Sequence, residues 1–417
     1  MGWNSFDCFG GQAREEDIRA NADCMANHLK KYGWEYVVID IAWYAEYSDP
    51  NKTYAIESLN MDEHGRLIPS PTLHPSSTGG QGFQPLADYI HSIGLKLGIH
   101  IMRGIPQEAV RRNLPILGSN ARAADIANIG DVCPWWNGHM YGIDVAKDGA
   151  QHYYDSIVKL YADWGVDFIK ADDMSGPYHE AEIEMLRGSI DRCGRDMLLS
   201  LSPGPSEIEN AAHIRANAEM WRISSDVWDL WWNVLTGFGL AELWNPHRSP
   251  NNWPDLDMLP FGRLELRPAE DGAEYGFERW SRLSHDEQLT MMTLWVIFRS
   301  PLMSGGHLPA NDDWALSLLT NEEVLEITKS SRNNRQLYRT EDASAWCAEG
   351  DGCRYLALFN LSDSRAIVEC SFEQMQVEGC LHLRDLWTHA DAGVVTSAVC
   401  AEIASHGSKL FRLTLAG

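Results

Sequence analysis

The chain has 417 residues, of which 44% are hydrophobic and 22% are charged; this ordinary globular composition excludes a disordered or fibrous protein. Its 34 Lys and Arg against 59 Asp and Glu give a formal net charge of −25, which repels phosphate backbones and argues against nucleic-acid or anionic-membrane binding. The 17 Trp residues indicate either a large core or a surface for flat amphipathic ligands such as sugars, and composition alone favours the core.

Targeting signals and cysteine spacing bear on the compartment. The sequence has no apolar run of transmembrane length, and its first residues lack the basic and apolar segments of a secretory signal. The nine Cys include no CxxC pair, and their spacing fits neither a zinc site nor a compact disulfide framework. We therefore expect free thiols, a cytoplasmic location of the bacterial intracellular type, and no contact with a membrane.

Short apolar runs alternate with segments of helical period over the first three quarters of the chain. The predicted strands, in chain order, are Trp3–Phe6, Tyr36–Asp40, Lys96–Ile101, Phe168–Asp172, Met197–Ser202, Met220–Ser224 and Pro301–Ser304. The predicted helices are Glu15–Tyr32, Pro85–Ile93, Ala150–Trp164, Glu180–Cys193, Ile208–Asn217 and His285–Phe298. Apolar strands in repeated strand–helix units are typical of a (β/α)8 barrel or a doubly wound sheet.

Two features favour the barrel. No GxGxxG or GxxxxGK[ST] motif occurs, so the usual signatures of nucleotide-binding doubly wound folds are missing. Polar residues also end five different strands, and a barrel gathers such strand ends around one mouth. These residues are Asp40, His100, Asp172, Ser202 and Arg222. We predict a catalytic (β/α)8 TIM barrel over residues 1–328.

The pattern changes after about Lys329, where short alternating runs are separated by turn residues. We predict an antiparallel β-sandwich domain over residues 335–417, joined to the barrel by a linker at Ser330–Asn334. Its predicted strands are Gln336–Arg339, Ser344–Ala348, Tyr355–Phe359, Ala366–Cys370, Leu381–Leu386 and Leu410–Leu415.

The fourth predicted strand ends with Lys170 and Asp172. Side chains alternate across a strand, so these two residues share a face and Asp173 takes the other. A charge inside a barrel is unfavourable unless it is paired or functional. The pair is therefore either part of a reactive site or a salt bridge that closes the top of the barrel.

A second carboxylate, Asp226, lies 54 residues after Asp172 and follows Arg222 at the end of the sixth predicted strand. Strands four and six can place the two carboxylates on opposite sides of the mouth, and glycoside hydrolysis requires such a pair. The alternative is that Asp226 only caps a following helix. Asp255 and Asp257 form a third acidic cluster that suits sugar hydroxyls, or a turn with two capping Asp.

The sequence gives little support for other chemistry. No HExxH, calcium-loop or GxSxG motif occurs, and the 15 His are scattered. We therefore predict no metal and no cofactor.

Several motifs, in order, resemble the signature set of glycoside hydrolase family 27, the α-galactosidase and α-N-acetylgalactosaminidase family. They are Gly2-Trp3-Asn4-Ser5, Lys170-x-Asp172, Trp221-Arg222-x-x-x-Asp226 and Trp253-x-Asp255-x-Asp257-Met258-Leu259. The resemblance spans roughly residues 1–325. It implies a (β/α)8 barrel followed by an antiparallel β domain, and a retaining mechanism without metal or organic cofactor.

The resemblance also implies roles for single residues. Asp172 would be the nucleophile, and Asp226 the general acid and then the general base. The implied contacts with the substrate are hydrogen bonds to sugar hydroxyls from Asp40, Lys170, Arg222 and Asp257, with Trp3 lining the pocket floor. Lys170 would also keep Asp172 ionised.

Departures from the family pattern bear on the sugar. Similar α-galactosidases carry a second Asp, which binds the 6-hydroxyl of galactose, where this chain has Ile41. Ile41 suits β-L-arabinopyranose, the same ring without the hydroxymethyl group. A family Tyr is replaced by His100, either a ligand or a packing residue, and a family Glu by Ser202. Met174 replaces a Cys of secreted relatives, so their disulfide cannot form here.

We therefore expect a hydrolase that releases terminal β-L-arabinopyranose from a small carbohydrate or glycoside. The alternatives are an α-galactosidase, an α-N-acetylgalactosaminidase, which the small Ser202 would suit, and a non-catalytic sugar-binding barrel. An assembly of identical subunits is left open.

Overall fold

The computed structural model describes residues 1–134, 136–267 and 276–416; Gly417, where the predicted second domain ends, lies outside these residues. The chain forms two compact units that interleave in sequence. The first comprises Met1–Asp226, Gly262–Trp280 and Met303–Ala310. The second comprises Val227–Phe261, Ser281–Leu302 and the chain from Asn311 onward. The division at residues 328 and 335 stays a prediction.

Eight short strands, spaced along the chain by helices and loops, confirm the predicted strand–helix repeat of a (β/α)8 barrel. They are β1 (Gly2–Asn4), β2 (Tyr36–Ile39), β3 (Lys96–Met102), β4 (Phe168–Asp172), β5 (Leu198–Leu201), β6 (Met220–Arg222), β7 (Trp253–Asp255) and β8 (Met303–Ser304). Within the first unit, the strands are hydrogen-bonded in the order β6-β5-β4-β3-β2-β1-β8. All six neighbouring pairs in this order are parallel.

The register of these strands aligns their polar ends. On β3 and β4, His100 pairs with Lys170 and Met102 with Asp172, and Ser200 of β5 also pairs with Lys170. Paired residues of neighbouring strands share a face, so His100, Lys170 and Asp172 point to the same side of the sheet. The apolar residues that hold the strands in place have no exposed surface; they include Val37, Ile39, Leu97, Ile99, Ile169 and Leu199.

The described residues of the first unit form eight α-helices, with the bounds Phe6–Phe9, Glu15–Cys24, Gln84–Ser92, Gln107–Arg111, Ala123–Ile126, Ala150–Asp163, Glu180–Arg192 and Ala211–Asn217. The sequence did not predict Phe6–Phe9, Gln107–Arg111 or Ala123–Ile126, and the predicted helix Ile208–Asn217 is α-helical only from Ala211. The predicted helix Glu15–Tyr32 is α-helical only to Cys24, continues as a π-turn over Met25–Leu29, and ends in a 3-10 turn before Gly33. Gly33 has a φ of 100°, a left-handed conformation that glycine adopts without steric strain.

Small additional sheets follow β2 and β3 and were not predicted. They are the hairpin Ala45–Tyr47 with Ile56–Leu59 and the three strands Ile105–Pro106, Ala127–Val132 and Met140–Ile143. Ile56–Leu59 and Ala127–Val132 are largely exposed, so they carry no apolar periodicity that would mark them as strands.

The second unit contains helices Trp231–Trp244, His285–Phe298, Asp313–Thr320, Glu322–Ser330 and Phe372–Met375. Its antiparallel strands are Arg332–Arg339, Ala343–Gly350, Cys353–Asn360, Ala366–Ser371, Leu381–Asp385, Ala390–Val395, Ala398–Ile403 and Ser408–Leu415. Six of them form one sheet, and Ala366–Ser371 pairs with Ala398–Ile403 in another. Leu356, Leu358 and Phe411 of the larger sheet share one buried cluster with Val368 and Val399 of the smaller, which confirms the predicted β-sandwich.

The predicted linker at Ser330–Asn334 is wrong in its extent. The helix Glu322–Ser330 runs to its first residue, and the strand Arg332–Arg339 begins two residues later, with Arg332 paired to Glu349. Ser331 alone separates the two elements.

Trp43 supports the polar end of β3 from the core. Its ring is 1% exposed and lies edge-on to Phe83, with centroids 5.2 Å apart, and to Trp164 at 6.3 Å. Its indole N–H donates to the backbone carbonyl of His100 at 2.7 Å. A buried indole N–H with such a partner fixes the ring in one orientation.

We expect Trp43→Phe to lower the free energy of unfolding by about 1–3 kcal/mol, because it leaves the carbonyl of His100 buried without its donor and shortens a packed ring. Urea unfolding followed by circular dichroism measures the change. The matched control is Trp232→Phe, since Trp232 is 62% exposed and should change stability by less than about 0.5 kcal/mol. Equal effects of the two substitutions would contradict the assigned role of Trp43.

Candidate active site

Asp40 directly follows β2 and is held by polar groups of the first unit. It is 3% exposed, and its Oδ2 accepts hydrogen bonds from Lys170 Nζ at 2.8 Å and Asn4 Nδ2 at 2.7 Å. Its Oδ1 accepts the backbone N–H of Ile41 at 2.8 Å, and its own N–H donates to Ser5 Oγ at 2.9 Å. The carboxylate is therefore fixed by bonds on both oxygens.

Asp172, at the end of β4, lies on the same face as Lys170. His100 Nε2 is 3.1 Å from Asp172 Oδ2 and 4.0 Å from Asp40 Oδ1, so the imidazole stands between the two carboxylates. The N–H of Asp173 donates to Asp172 Oδ1 at 3.0 Å. The structure thus brings together four of the predicted site residues and shows that His100 contacts a predicted catalytic group.

The electrostatics of these residues favour ionised carboxylates. Burial by itself raises the pKa of Asp40, but the charge of Lys170, that of His100 and the hydrogen bonds from Lys170 and Ile41 outweigh it and hold the pKa well below its usual range. Burial also raises the pKa of Asp172, and the hydrogen bond and charge of His100, with Lys170 and the Asp173 N–H, lower it overall. Both groups are anions at neutral pH.

Asp226 differs from Asp172 in its access to solvent. Its side chain is 45% exposed, whereas that of Asp172 is 14% exposed. Arg222, at the end of β6 and 3% exposed, donates from Nη2 to Asp226 Oδ1 at 3.0 Å and to the carbonyl of Ser224 at 3.1 Å. Asp226 is not a helix cap, because the next helix, Trp231–Trp244, begins five residues later with Leu230 at its cap.

The remaining predicted residues of the first unit are buried. Ile41 is 2% and Ser202 3% exposed, and the carbonyl of Ser202 accepts the N–H of Met174 at 3.0 Å. Trp3 has no exposed surface, and its indole donates to the carbonyl of Gly306 at 2.8 Å. The structure therefore shows Trp3 as a support for neighbouring residues, and a direct ligand contact on the pocket floor stays a prediction.

Asp257 belongs to the second unit. It has a φ of +85°, and its carboxylate accepts the N–H of Val227, the residue after Asp226, at 2.8 Å. Its own N–H donates to Asp255 Oδ1 at 2.9 Å, and the indole of Trp295 donates to its carbonyl at 2.8 Å. Its predicted contact with a sugar hydroxyl remains a prediction.

Asn4 and Ser5 contact a predicted site residue, although the sequence did not single them out as site residues. Both contact Asp40, as described above, and both lie in the first motif of the family resemblance. Their place in that motif is the signal that could have identified them, because short polar side chains after a strand often bind a neighbouring loop.

Two clusters of potential metal ligands occur among the described residues, and neither includes a predicted site residue. They are Asp131, His179 and Glu182, and Glu180, Glu184 and His213. The predicted site residues themselves supply a buried carboxylate anion at Asp172, an exposed carboxyl group at Asp226, and the positively charged side chains of Lys170 and Arg222.

Family models match most of the barrel's second half and the β-sandwich. The model of alpha galactosidase A matches residues 143–330, and that of the alpha galactosidase C-terminal beta sandwich domain matches residues 340–413. Among curated proteins, an α-galactosidase of Cyamopsis tetragonoloba is 25% identical over 99% of this chain and 85% of its own length.

Solved structures match over the whole chain. A variant of a GH27 β-L-arabinopyranosidase from Geobacillus stearothermophilus, in complex with arabinose, is 46% identical, with 100% of this chain and 97% of that chain covered and a TM-score of 0.96. A Bacillus halodurans protein proposed to be an α-N-acetylgalactosaminidase is also 46% identical, with the same coverage and a TM-score of 0.90.

Two further observations concern the compartment. No helix of the described residues is both long and apolar enough to cross a membrane. All nine cysteines are free thiols, four of them buried.

We expect Lys170→Met to destabilise the protein by about 2–4 kcal/mol at pH 7, because it leaves the buried Asp40 carboxylate without its cation. The lowered pKa of Asp40 stabilises the folded state above the carboxyl pKa of the unfolded chain, near pH 4, and that contribution is lost as the pH falls. The difference between the two proteins should therefore shrink below about pH 5. Urea unfolding from pH 7 to about pH 3 measures it.

The control is Lys159→Met, which removes an ion pair with Asp163 whose side chains are both 58% exposed. This substitution should change stability by less than about 1 kcal/mol at any of these pH values. A pH-independent loss of stability in Lys170→Met would show that Lys170 acts through packing alone.

Proposed function

The chain belongs to glycoside hydrolase family 27 and is an O-glycosyl hydrolase, and from this premise we propose that it is a retaining exo-glycosidase that releases terminal β-L-arabinopyranose. The observation that carries the choice of sugar is the buried, apolar Ile41 directly after Asp40. The high identity to an arabinopyranosidase over the whole chain supports it.

In the proposed reaction, Asp172 is the nucleophile. Its carboxylate attacks the anomeric carbon, the bond to the leaving oxygen breaks, and Asp226 donates a proton to that oxygen. This step forms a glycosyl ester on Asp172. Water then attacks the same carbon, Asp226 takes its proton, and the ester bond breaks to return the free carboxylate. The ionised state of Asp172 and the exposure of Asp226 support these two roles.

The remaining site residues are proposed to bind the sugar. Asp40 and Lys170 form a fixed acceptor and donor pair for adjacent ring hydroxyls. Arg222 binds hydroxyls near Asp226, and Asp257 binds another. Ser202 leaves room near the 2-hydroxyl. His100 orients Asp172 through its hydrogen bond.

The second candidate is an α-galactosidase, which the family models and the curated relatives favour. Ile41 counts against it because an isoleucine side chain offers no hydrogen bond to a 6-hydroxyl and occupies the space of a hydroxymethyl group. The same argument weakens an α-N-acetylgalactosaminidase, although a relative of equal identity is proposed to have that activity.

We also propose a cytoplasmic location with a glycoside or oligosaccharide as the partner and no cofactor. The nine free thiols support a reducing compartment.

Trapping the intermediate tests the mechanism. We expect a 2-deoxy-2-fluoro-β-L-arabinopyranosyl fluoride to inactivate the protein and to label Asp172, as identified by peptide mass spectrometry. Asp172→Asn should be inactive on all substrates. Asp226→Asn should lose about 10²- to 10⁴-fold on an alkyl glycoside but much less on a dinitrophenyl glycoside, whose leaving group needs no proton.

Asp163→Asn, a change on an exposed helix position, serves as the control and should keep full activity. A label on a residue other than Asp172, or equal losses of Asp226→Asn on both substrates, would overturn the assigned roles.

Changing Ile41 tests the sugar. In Ile41→Asp, we expect the ratio of kcat/KM for aryl α-D-galactosides to that for aryl β-L-arabinopyranosides to rise by about 10-fold or more, because the new carboxylate binds the 6-hydroxyl. Ile41→Val should leave the ratio nearly unchanged. If the unmodified protein already prefers the galactoside, the interpretation of Ile41 is wrong.

A further inference from the structure

Arg103 lies directly after β3 and is the centre of a buried ionic cluster beside the proposed nucleophile. It is 1% exposed. Its guanidinium donates to Asp173 Oδ2 at 2.9 Å, to both oxygens of Asp131 at 2.8 and 2.9 Å, and to Glu182 Oε1 at 2.6 Å. A buried guanidinium with this many partners is rigidly oriented, because each bond fixes one edge of its plane.

Arg103 holds the peptide group between Asp172 and Asp173 through its carbonyl and through the side chain that follows it. Its carbonyl, that of Asp172, accepts the backbone N–H of Arg103 at 3.0 Å. Its N–H, that of Asp173, donates to Asp172 Oδ1 at 3.0 Å. The side chain that follows, Asp173, is in turn bonded to the Arg103 guanidinium.

Asp173 adopts a backbone conformation that needs this support. Its φ is +57°, in the left-handed region that is unfavourable for residues with a Cβ. The residue is fully buried, and this conformation directs its side chain toward Arg103 while its N–H stays on Asp172. The ion pair therefore offsets the backbone strain.

We propose that Arg103 is a positioning residue for the nucleophile: by holding Asp173 and the Asp172 carbonyl, it keeps the Asp173 N–H on Asp172 Oδ1. The inference rests on the proposed role of Asp172. One carboxylate oxygen then receives the peptide N–H and the other receives His100, so the group has a single orientation in the mouth.

The peptide N–H has a different effect in each step of the proposed reaction. Before attack it keeps Asp172 ionised and oriented, and in the second step it favours the breaking of the ester bond, since a hydrogen bond to a carboxylate is stronger than one to a neutral ester. The lowered pKa of Asp172, to which this N–H contributes, agrees with that role.

The same cluster resembles a metal site, because ligand atoms of Asp131, His179 and Glu182 lie close together. The Arg103 guanidinium already bonds both of these acidic residues and supplies their positive charge. We therefore interpret Asp131 and Glu182 as ion-pair partners of Arg103 and not as metal ligands.

The experiment compares Asp173→Ala with Asp173→Asn in the full-length protein. Alanine removes the bond to Arg103 and disfavours the left-handed backbone, whereas the amide oxygen of asparagine can accept from Arg103 and asparagine tolerates this conformation. The readout is the rate of labelling by the 2-fluoro glycosyl fluoride between about pH 2.5 and pH 8, a range that includes the acidic limb because the pKa of Asp172 is lowered from its usual value.

We expect Asp173→Ala to be labelled about 10- to 100-fold more slowly, as for a displaced catalytic group. The acidic limb of its pH–rate profile should also move up by about half a pH unit or more, because Asp172 loses a hydrogen bond. Asp173→Asn should stay within about threefold of the unmodified protein and keep its pH profile. Arg103→Lys keeps the positive charge but not the planar guanidinium, so it should show the same shift as Asp173→Ala. It replaces Asp173→Ala as the test if Asp173→Ala does not fold.

The control is Asp17→Ala, which breaks a partly buried ion pair elsewhere in the first unit, that of Asp17 with Arg267. It should lower stability without moving the pH profile. The positioning role is overturned if the unmodified protein is labelled on Asp172 and Asp173→Ala keeps the normal rate and pH profile. If Asp173→Ala does not fold, the same result with Arg103→Lys overturns it. If Asp172 is not labelled in the unmodified protein, the proposed function fails instead.

Discussion

The ion pair between Lys170 and Asp40 is the contact on which the rest of the site depends. Its partners are 15% and 3% exposed, and taking both charges out of water is unfavourable unless their attraction and further hydrogen bonds compensate. Asn4 and the Ile41 N–H provide those bonds. The same ammonium also helps to lower the pKa of Asp172, after the larger effect of His100, so it acts on both carboxylates that flank His100.

The part of the site that lies on the strands could be predicted from the sequence, because side chains alternate along a strand. Alternation along β4 placed Lys170 and Asp172 on one face, and the register with β3 adds His100 to it. The contacts of Arg103 could not be predicted, because they join it to Asp131 and Glu182, 28 and 79 residues away, and no local pattern encodes such a distance. The exposed strands after β2 and β3, and the helix Trp231–Trp244, were missed because their apolar residues do not follow one period.

The tryptophans show that the position of a residue in the sequence does not establish whether its side chain faces the pocket or the core. The family resemblance implied that Trp3 lines the pocket floor, and Trp43 and Trp221 also lie in or beside the strand-end motifs, yet all three are at most 1% exposed. Trp3 and Trp43 donate their indole N–H to the backbone carbonyls of Gly306 and His100. These two rings therefore support the backbone near the strand ends, and the unusual Trp content is explained first by the core, as composition alone favoured.

Ile41 shows how the site separates catalysis from sugar selection. Its backbone N–H holds Asp40 Oδ1, a task that any residue except proline performs. Its side chain is consequently the part of the residue that can vary without disturbing the Asp40–Lys170 pair. A site built in this way can exchange a group that binds a hydroxymethyl hydroxyl for one that fills its space, while the contacts of Asp172 with His100 and with the Asp173 N–H stay in place. The proposed preference for a pentose thus requires no change in the proposed mechanism, because selectivity and ionisation depend on different atoms of adjacent residues.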